Sequence, residues 1–378
     1  MLKNSTSYLD ILTRHRRALH MIPEAAFAEE KTTQYICDVL DSINVPYTKV
    51  LPTAVVAKID VGADKTFAFR ADIDALPVIE NTGRDFSSTH EGFMHACGHD
   101  AHAAVLLTFA QYLSEHKDIL KKNAALIFQP AEEGMGGSIK MIDAGALNVM
   151  GADEVYSFHV SPLYPKGKIY VSKGAAMSCD LAFDITVRGK SSHAAIPHDG
   201  RDAIYAASQL IVTLQSIISR ENDPGEHLVL TVGTFNAGTK RNVVADEAHL
   251  ECSIRAHSED VASGAYESVV RICEGLSKSL RVDIECSIHH FYGPVINDDR
   301  CVARLESCFD EGEVEKVPTL AVAEDFFAFT KAIPGAMFLC GVRDESCGFV
   351  HPLHSDKFDL HEDALLYALE AYIRLICE

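Results

Sequence analysis

The order of strand and helix patterns changes once along this chain and later changes back, and this constrains the fold more than any other feature. From about residue 178, "DLAFDITVRG" alternates as a half-exposed strand and "DAIYAASQLIVTLQSII" is a long amphipathic helix. Two strands follow, "HLVLTVGTF" and "EAHLECSIRA", then the helix "EDVASGAYESVVRICEGLSKSL" and the strand "VDIECSIHH". The order β-α-β-β-α-β is that of a ferredoxin-like unit, complete within one stretch of sequence.

The flanking segments have a different rhythm. "SYLDILTRHRRALHMI" and "TTQYICDVLDSI" carry apolar residues at helical spacing, and "AVVAKIDV", "TFAFRADID", "AALIFQP" and "EVYSFHV" are strands alternating with helices such as "DAHAAVLLTFAQYLSEH". The style returns in "AEDFFAFTKAI", "GAMFLCGV" and "EDALLYALEAYIRLIC". The expected fold is therefore α/β, with helices on a mainly parallel sheet. Residues 1–177 and 291–378 build this domain, and 178–290 form a smaller domain inserted into it. At 378 residues the chain is long enough for both.

Composition narrows the function classes. A formal charge of −20 and the lack of any basic run argue against a nucleic-acid partner. No stretch approaches the roughly 18 apolar residues of a membrane span, and the first residues, "MLKNSTSYLDILTRHRR", lack the apolar core of a signal peptide. The eleven cysteines include no CxxC pair, which fits a reducing compartment, so the expectation is a cytoplasmic protein acting on small molecules.

Chemistry-bearing residues gather at strand ends and adjoining turns. In "MHACGHDAH", Cys97 and His99 flank a glycine before a helix, so a thiolate and an imidazole can converge on one cation. The plainer alternative is that Asp100 caps the helix and the histidines are solvated. In "FQPAEEG", Glu132 and Glu133 follow a strand, and adjacent carboxylates there can divide the work of metal ligand and proton acceptor. His159 ends an apolar strand, and His351 and His354 precede the last helix. Asp72 and Asp74 in "FRADIDALP" can orient ligand histidines. Each element alone is weak; together they supply enough donors for two cations in an acidic, water-bearing cleft. In the inserted domain, His193, Asn242 and Arg255 are of the types that bind an oxyanion or a carboxylate, although the first two could equally just organise turns.

Taken in order, "LHMIPE", "FRADIDALP", "MHACGHDAH", "FQPAEEG", "GKSSHAAIPHDGRDA", "NVVADEAHLECSIR", "AEDFFAF" and "PLHSDKFDL" resemble the dinuclear metallopeptidase family of aminoacylases and glutamate carboxypeptidases. They are most similar to its amidohydrolase branch, which holds N-acyl-amino-acid deacylases, N-acetyldiaminopimelate deacetylase and hippurate hydrolase. The resemblance implies a zinc-peptidase-like α/β catalytic domain with an inserted ferredoxin-like lid that makes homodimers. It also implies two divalent ions per subunit, zinc or manganese with cobalt or nickel as other candidates, held by Cys97, His99, Glu133, His159 and His354. Glu132 becomes the general base, Asp72 or Asp74 the supporting aspartate, and His95 and His102 supports of the site. His193, on the lid, reaches the tetrahedral intermediate in its own or the partner subunit's site, while Asn242 and Arg255 help bind an N-acyl, foremost an N-acetyl, amino acid. Ala245 stands where many branch members carry proline, which leaves that turn less constrained and removes no catalytic group. A di- or tripeptidase with the same metals and a hydrolase using Cys97 as nucleophile are the competing activities.

Overall fold

The structure, a computed structural model, describes residues 4–378. Its contacts divide the chain into two compact units. The larger runs to Ala176 and takes up Ile296–Pro318 and Asp325–Glu378; the smaller comprises Met177–Val295 and Thr319–Glu324. The boundary falls a few residues later than 290 because the last strand of the small unit continues to Tyr292. Segment 319–324 goes with the small unit because Ser178 N donates to the carbonyls of Leu320 and Val322.

The strands are β1 (Tyr47–Leu51), β2 (Ala54–Ile59), β3 (Thr66–Asp72), β4 (Asn123–Gln129), β5 (Glu154–Pro165), β6 (Ile169–Val171), β7 (Gly174–Met177), β8 (Cys179–Arg188), β9 (Leu228–Ala237), β10 (Glu247–Ala256), β11 (Asp283–Tyr292), β12 (Val295–Asn297), β13 (Val314–Lys316) and β14 (Gly335–Arg343). The large unit holds an eight-stranded sheet in the order β1-β2-β4-β3-β5-β14-β6-β13. Its centre, β4, β3, β5 and β14, is parallel, while the β1–β2, β2–β4 and β14–β6 pairs are antiparallel. Sequence alternation registers the central crossovers but not the reversals at the edges.

Strands covered on both faces are buried along their whole length: every residue of β3 and β4 is buried, including Arg70, Asp72 and Gln129 near their carboxyl ends. The helix His99–Glu115 follows the same rule, with every residue from His99 to Ala110 buried. Phe69 of β3 packs edge-on against Phe109 of that helix, ring centroids 4.9 Å apart.

In the small unit, Cys179, Leu181, Phe183, Ile185 and Val187 recur at every second position of β8 and are buried. The helices Ala203–Ser216 and Glu259–Leu280 pack in the same core through Leu210, Leu214, Val269 and Ile272. The sheet order β11-β8-β10-β9, wholly antiparallel, is the arrangement expected of the split βαβ order. Among the described residues no helix is long and apolar enough to cross a membrane.

Candidate active site

The parallel centre of the large sheet carries the chemistry at the carboxyl ends of its strands, where open α/β sheets place their sites. Asp72 ends β3 opposite Gln129, which ends β4. Glu132 and Glu133 follow three and four residues later, and His159 lies in β5 opposite Leu339 of β14.

A glycine makes the Cys97 turn possible. Gly98 has φ 87°, and a Cβ there would lie 2.5 Å from Val160 Cγ2. The turn thus passes against β5 and delivers His99 as the first residue of its helix. His354, itself at φ 66°, arrives from the loop before the last helix and is tied to this turn by His354 N donating to Ala96 O at 2.8 Å.

Each inward histidine is oriented through its other nitrogen. Nδ1 of His99 donates to the Asp74 carbonyl at 2.9 Å, which aims Nε2 into the site. Nδ1 of His159 donates to the Val160 carbonyl at 2.7 Å, and its Nε2 lies 3.5 Å from Cys97 Sγ. His354 Nε2 is 3.3 Å from Glu133 Oε1. Donor atoms of Cys97, His99 and His159 lie within 4.8 Å of one another, as do those of Cys97, Glu133 and His354, so the two groups share Cys97. A third group joins His99, Glu132 and Glu133.

The electrostatics ask for positive charge. Burial pushes the Cys97 thiol up, but His159 and His99 outweigh it and bring it down to about 7. Burial likewise opposes ionisation of Glu133, yet His354 holds it below the usual carboxylate range. His354 in turn is raised to about 10 by hydrogen bonding to Cys97 and Glu133. His99 Nε2 is buried with no hydrogen-bond partner, an arrangement that is costly unless a cation completes it. Sulfur, nitrogen and oxygen donors in these two groups fit divalent metal ions.

Asp72, His99 and His102 also lie within range of one another, but His102 has no lone pair to spare. Its Nδ1 donates to Asp72 Oδ1 at 2.5 Å, and its Nε2 accepts from Val160 N at 3.0 Å. His102 therefore braces Asp72 and the residue after His159. Asp72 is further engaged by Arg70 Nη1 at 2.8 Å. Asp74 touches the ligand candidates themselves, accepting from Glu133 N at 3.0 Å and lying 3.1 Å from His99 Nδ1. Asp74 thus bonds two ligand candidates, while Asp72 Oδ2 lies 3.7 Å from His99 Nε2 and takes its hydrogen bonds from His102 and Arg70.

Two expectations from the histidine-rich stretch change. Asp100 makes no cap bond; its carboxylate turns away from the helix end to Arg16 Nε at 3.0 Å and His20 Nδ1 at 2.7 Å. His95 is buried with neither ring nitrogen hydrogen-bonded, and burial lowers its pKa to about 3.

In the small unit, the turns carrying His193 and Asn242 pair directly: residues 193 and 243 form a β-bridge, and Ala194 N donates to Asn242 O at 3.0 Å. His193 Nδ1 accepts from Ala195 N at 3.1 Å, so Nε2 carries the proton in the neutral ring. Arg255 is not brought to these turns. It pairs with Asp180 Oδ2 at 3.0 Å, at the far end of β8 from Arg188, where the His193 segment begins.

Asp325, Arg70 and Glu29 stand out only in the folded chain. Asp325 accepts from Arg70 Nη2 at 2.9 Å and Ser138 N at 2.9 Å, and its own amide donates to Glu132 Oε1 at 3.4 Å. Glu29 Oε1 accepts from Ala131 N at 2.9 Å. The quoted "AEDFFAF" contained Asp325, whereas "FAEEK" reads as a charged helix start and offers no local sign of Glu29.

Residues 68–378 match the peptidase family M20/M25/M40. Thermostable carboxypeptidase 1 of Saccharolobus solfataricus is 38% identical over 375 residues, 96% of this chain and 94% of that protein. N-acetyldiaminopimelate deacetylase of Halalkalibacterium halodurans is 36% identical over 373 residues, 96% and 97% of the two chains. A crystal structure from Bacillus subtilis, described as a dinuclear metal binding peptidase of the M20 family, superposes with a TM-score of 0.85 at 30% identity, covering 98% of each chain. Together with a buried donor set suited to divalent ions, these likenesses lead to one conclusion: the chain belongs to the peptidase family M20/M25/M40 and is a metal-dependent amidohydrolase.

Proposed function

We propose that this enzyme hydrolyses the amide bond of N-acyl, foremost N-acetyl, amino acids to a carboxylate and a free amino acid. The observation that carries the proposal is the pair of donor groups sharing Cys97, with Glu132 beside them. Cys97, His99 and His159 would hold one ion and Cys97, Glu133 and His354 the other, zinc being favoured by the thiolate and manganese accepted by the rest. When bound, such ions supply Lewis-acid polarisation of the acyl carbonyl and a lowered pKa for water.

The chain's own groups then handle the protons. Glu132 takes a proton from water as its oxygen attacks the acyl carbon, and returns that proton to the departing amine. The amide of Asp325 near Glu132 Oε1 helps hold the carboxylate in place. His193 is proposed as a donor to the oxyanion, and Asn242 as a substrate contact, on the resemblance alone. Arg255 is proposed as a substrate contact on the resemblance alone.

The acyl-amino-acid reading draws on the relative named N-acetyldiaminopimelate deacetylase, and a peptidase reading on the one named thermostable carboxypeptidase. Assaying N-acetyl amino acids against free di- and tripeptides, with zinc and manganese in turn, decides between them. Glu132→Gln should keep its ions and lose about 1,000-fold in kcat; near-normal turnover would remove Glu132 as the base.

A homodimer is proposed through the small unit. Among the described residues β9 pairs only with β10, leaving one edge open, and it exposes Val229 and Phe235, while the helix Ala203–Ser216 exposes Ile204, Tyr205 and Val212. A cytoplasmic location is proposed on the sequence features alone.

A further inference from the structure

Three buried carboxylates from distant parts of the large unit hold main-chain amides of the segment that carries Glu132. Glu29 Oε1 accepts from Ala131 N at 2.9 Å, Asp74 Oδ2 from Glu133 N at 3.0 Å and Asp325 Oδ2 from Ser138 N at 2.9 Å. Of these, Glu29 acts on the residue immediately before Glu132. That residue is an alanine at φ 56° and ψ 44°, a left-handed conformation that strains any residue except glycine.

The same Glu29 oxygen accepts from Phe27 N at 2.9 Å, and Phe27 is also left-handed at φ 60°. One carboxylate oxygen therefore secures two strained positions. Helix capping does not account for this carboxylate: Glu29 precedes the helix Glu30–Ser42 but its side chain makes no cap bond. It is fully buried, and both of these amide hydrogen bonds run to Oε1. Burial raises its pKa to about 7, so an acidic side chain is kept there at a cost, and its use lies in the amides that Oε1 accepts from.

We propose that Glu29 is a positioning residue for Glu132: by accepting the Ala131 amide it holds the left-handed turn that aims the general base. The proposal rests on the reading of Glu132 as that base. An oxygen acceptor at position 29 matters for catalysis because Ala131 would otherwise relax out of the left-handed region and swing the next side chain. Glycine at 131 would not need the acceptor, since it adopts that conformation without strain.

The test uses the metal-loaded enzyme and the N-acetyl amino acid it cleaves best, with kcat, KM, metal content and thermal midpoint measured for each variant. Glu29→Ala should lose about 100-fold in kcat, the scale of a misplaced catalytic group, while KM and metal content stay near wild type. Glu29→Gln, which keeps an oxygen acceptor, should recover most of that loss. Adding A131G to Glu29→Ala should also recover kcat by about tenfold, which loss of a merely structural contact would not do. An unchanged kcat in Glu29→Ala, or no recovery from A131G, overturns the proposal. Should Glu29→Ala not fold, Glu29→Asp, whose shorter side chain withdraws the oxygen, makes the same comparison with and without A131G. Glu132→Gln assayed alongside separates the two ideas. If it is inactive while the position-29 variants are normal, only the positioning role falls; if it is active, the base assignment falls and takes this proposal with it.

Discussion

His15 lies on the buried side of the helix Leu9–His20 with Nδ1 2.8 Å from the Tyr35 hydroxyl, and burial lowers its pKa to about 4, with Arg14 adding to the effect. The unfolded chain, titrating near 6.5, takes up a proton that the folded chain refuses. The contribution is thus fully present above pH 6.5 and is lost as pH falls towards 4. Between pH 7 and pH 5 this group should cost about 2 kcal/mol of stability. Denaturant midpoints of wild type and His15→Gln at the two pH values check it; an equal loss in both would remove His15 as the source. At the metal site, the shared donor gives a second prediction. Cys97→Ala should lose both ions by elemental analysis, whereas His354→Ala, which serves one group, should keep one. Retention of both ions by Cys97→Ala would refute the sharing. Cys97, His99 and Glu133 were legible as residue types at strand ends, yet the choice between Asp72 and Asp74 was not. Both can face one way on an extended chain, and only the positions of His99 Nδ1 and the Glu133 amide separate them.

Among the elements, the turn before the helix His99–Glu115 is the most exacting. Gly98→Ala adds a Cβ 2.5 Å from Val160 Cγ2 at a left-handed φ, so it should destabilise by about 3 kcal/mol and reduce metal content. Gly62→Ala, at φ 74° with nothing within 4 Å, bears the conformational strain alone and should cost about 1 kcal/mol. Denaturation midpoints compare the two directly; equal losses would show that contact with Val160 is unimportant. The helix itself was readable from its apolar spacing. The destination of Asp100 was not, because a carboxylate at a helix start caps by default, and Arg16 and His20, far away in sequence, outbid the helix amides for it.

For the whole molecule, bound ions and a partner subunit should both add stability. Removing the ions with EDTA should abolish hydrolysis and lower the thermal midpoint, and zinc or manganese should restore both, since ions that bind the folded chain stabilise it. A Cys97-nucleophile enzyme would instead survive chelation and lose activity with iodoacetamide. If β9 and the helix Ala203–Ser216 make the dimer, F235E combined with V212E should shift sedimentation to the monomer without unfolding the chain. An unchanged dimer would move the interface elsewhere.

The α/β class, the inserted β-α-β-β-α-β unit and the residue types of the donor set are all legible along the chain. These are carried by periods of two and 3.6 residues and by side chains at strand ends, all readable within a few positions. It takes the folded chain to show that Cys97 belongs to both donor groups, that carbonyl oxygens fix which histidine nitrogens point inward, and that Glu29, Asp74 and Asp325 hold the amides around Glu132. The Glu29–Ala131 and Asp325–Ser138 contacts join residues 102 and 187 positions apart, and a hydrogen bond over that separation leaves no local period or motif in the chain.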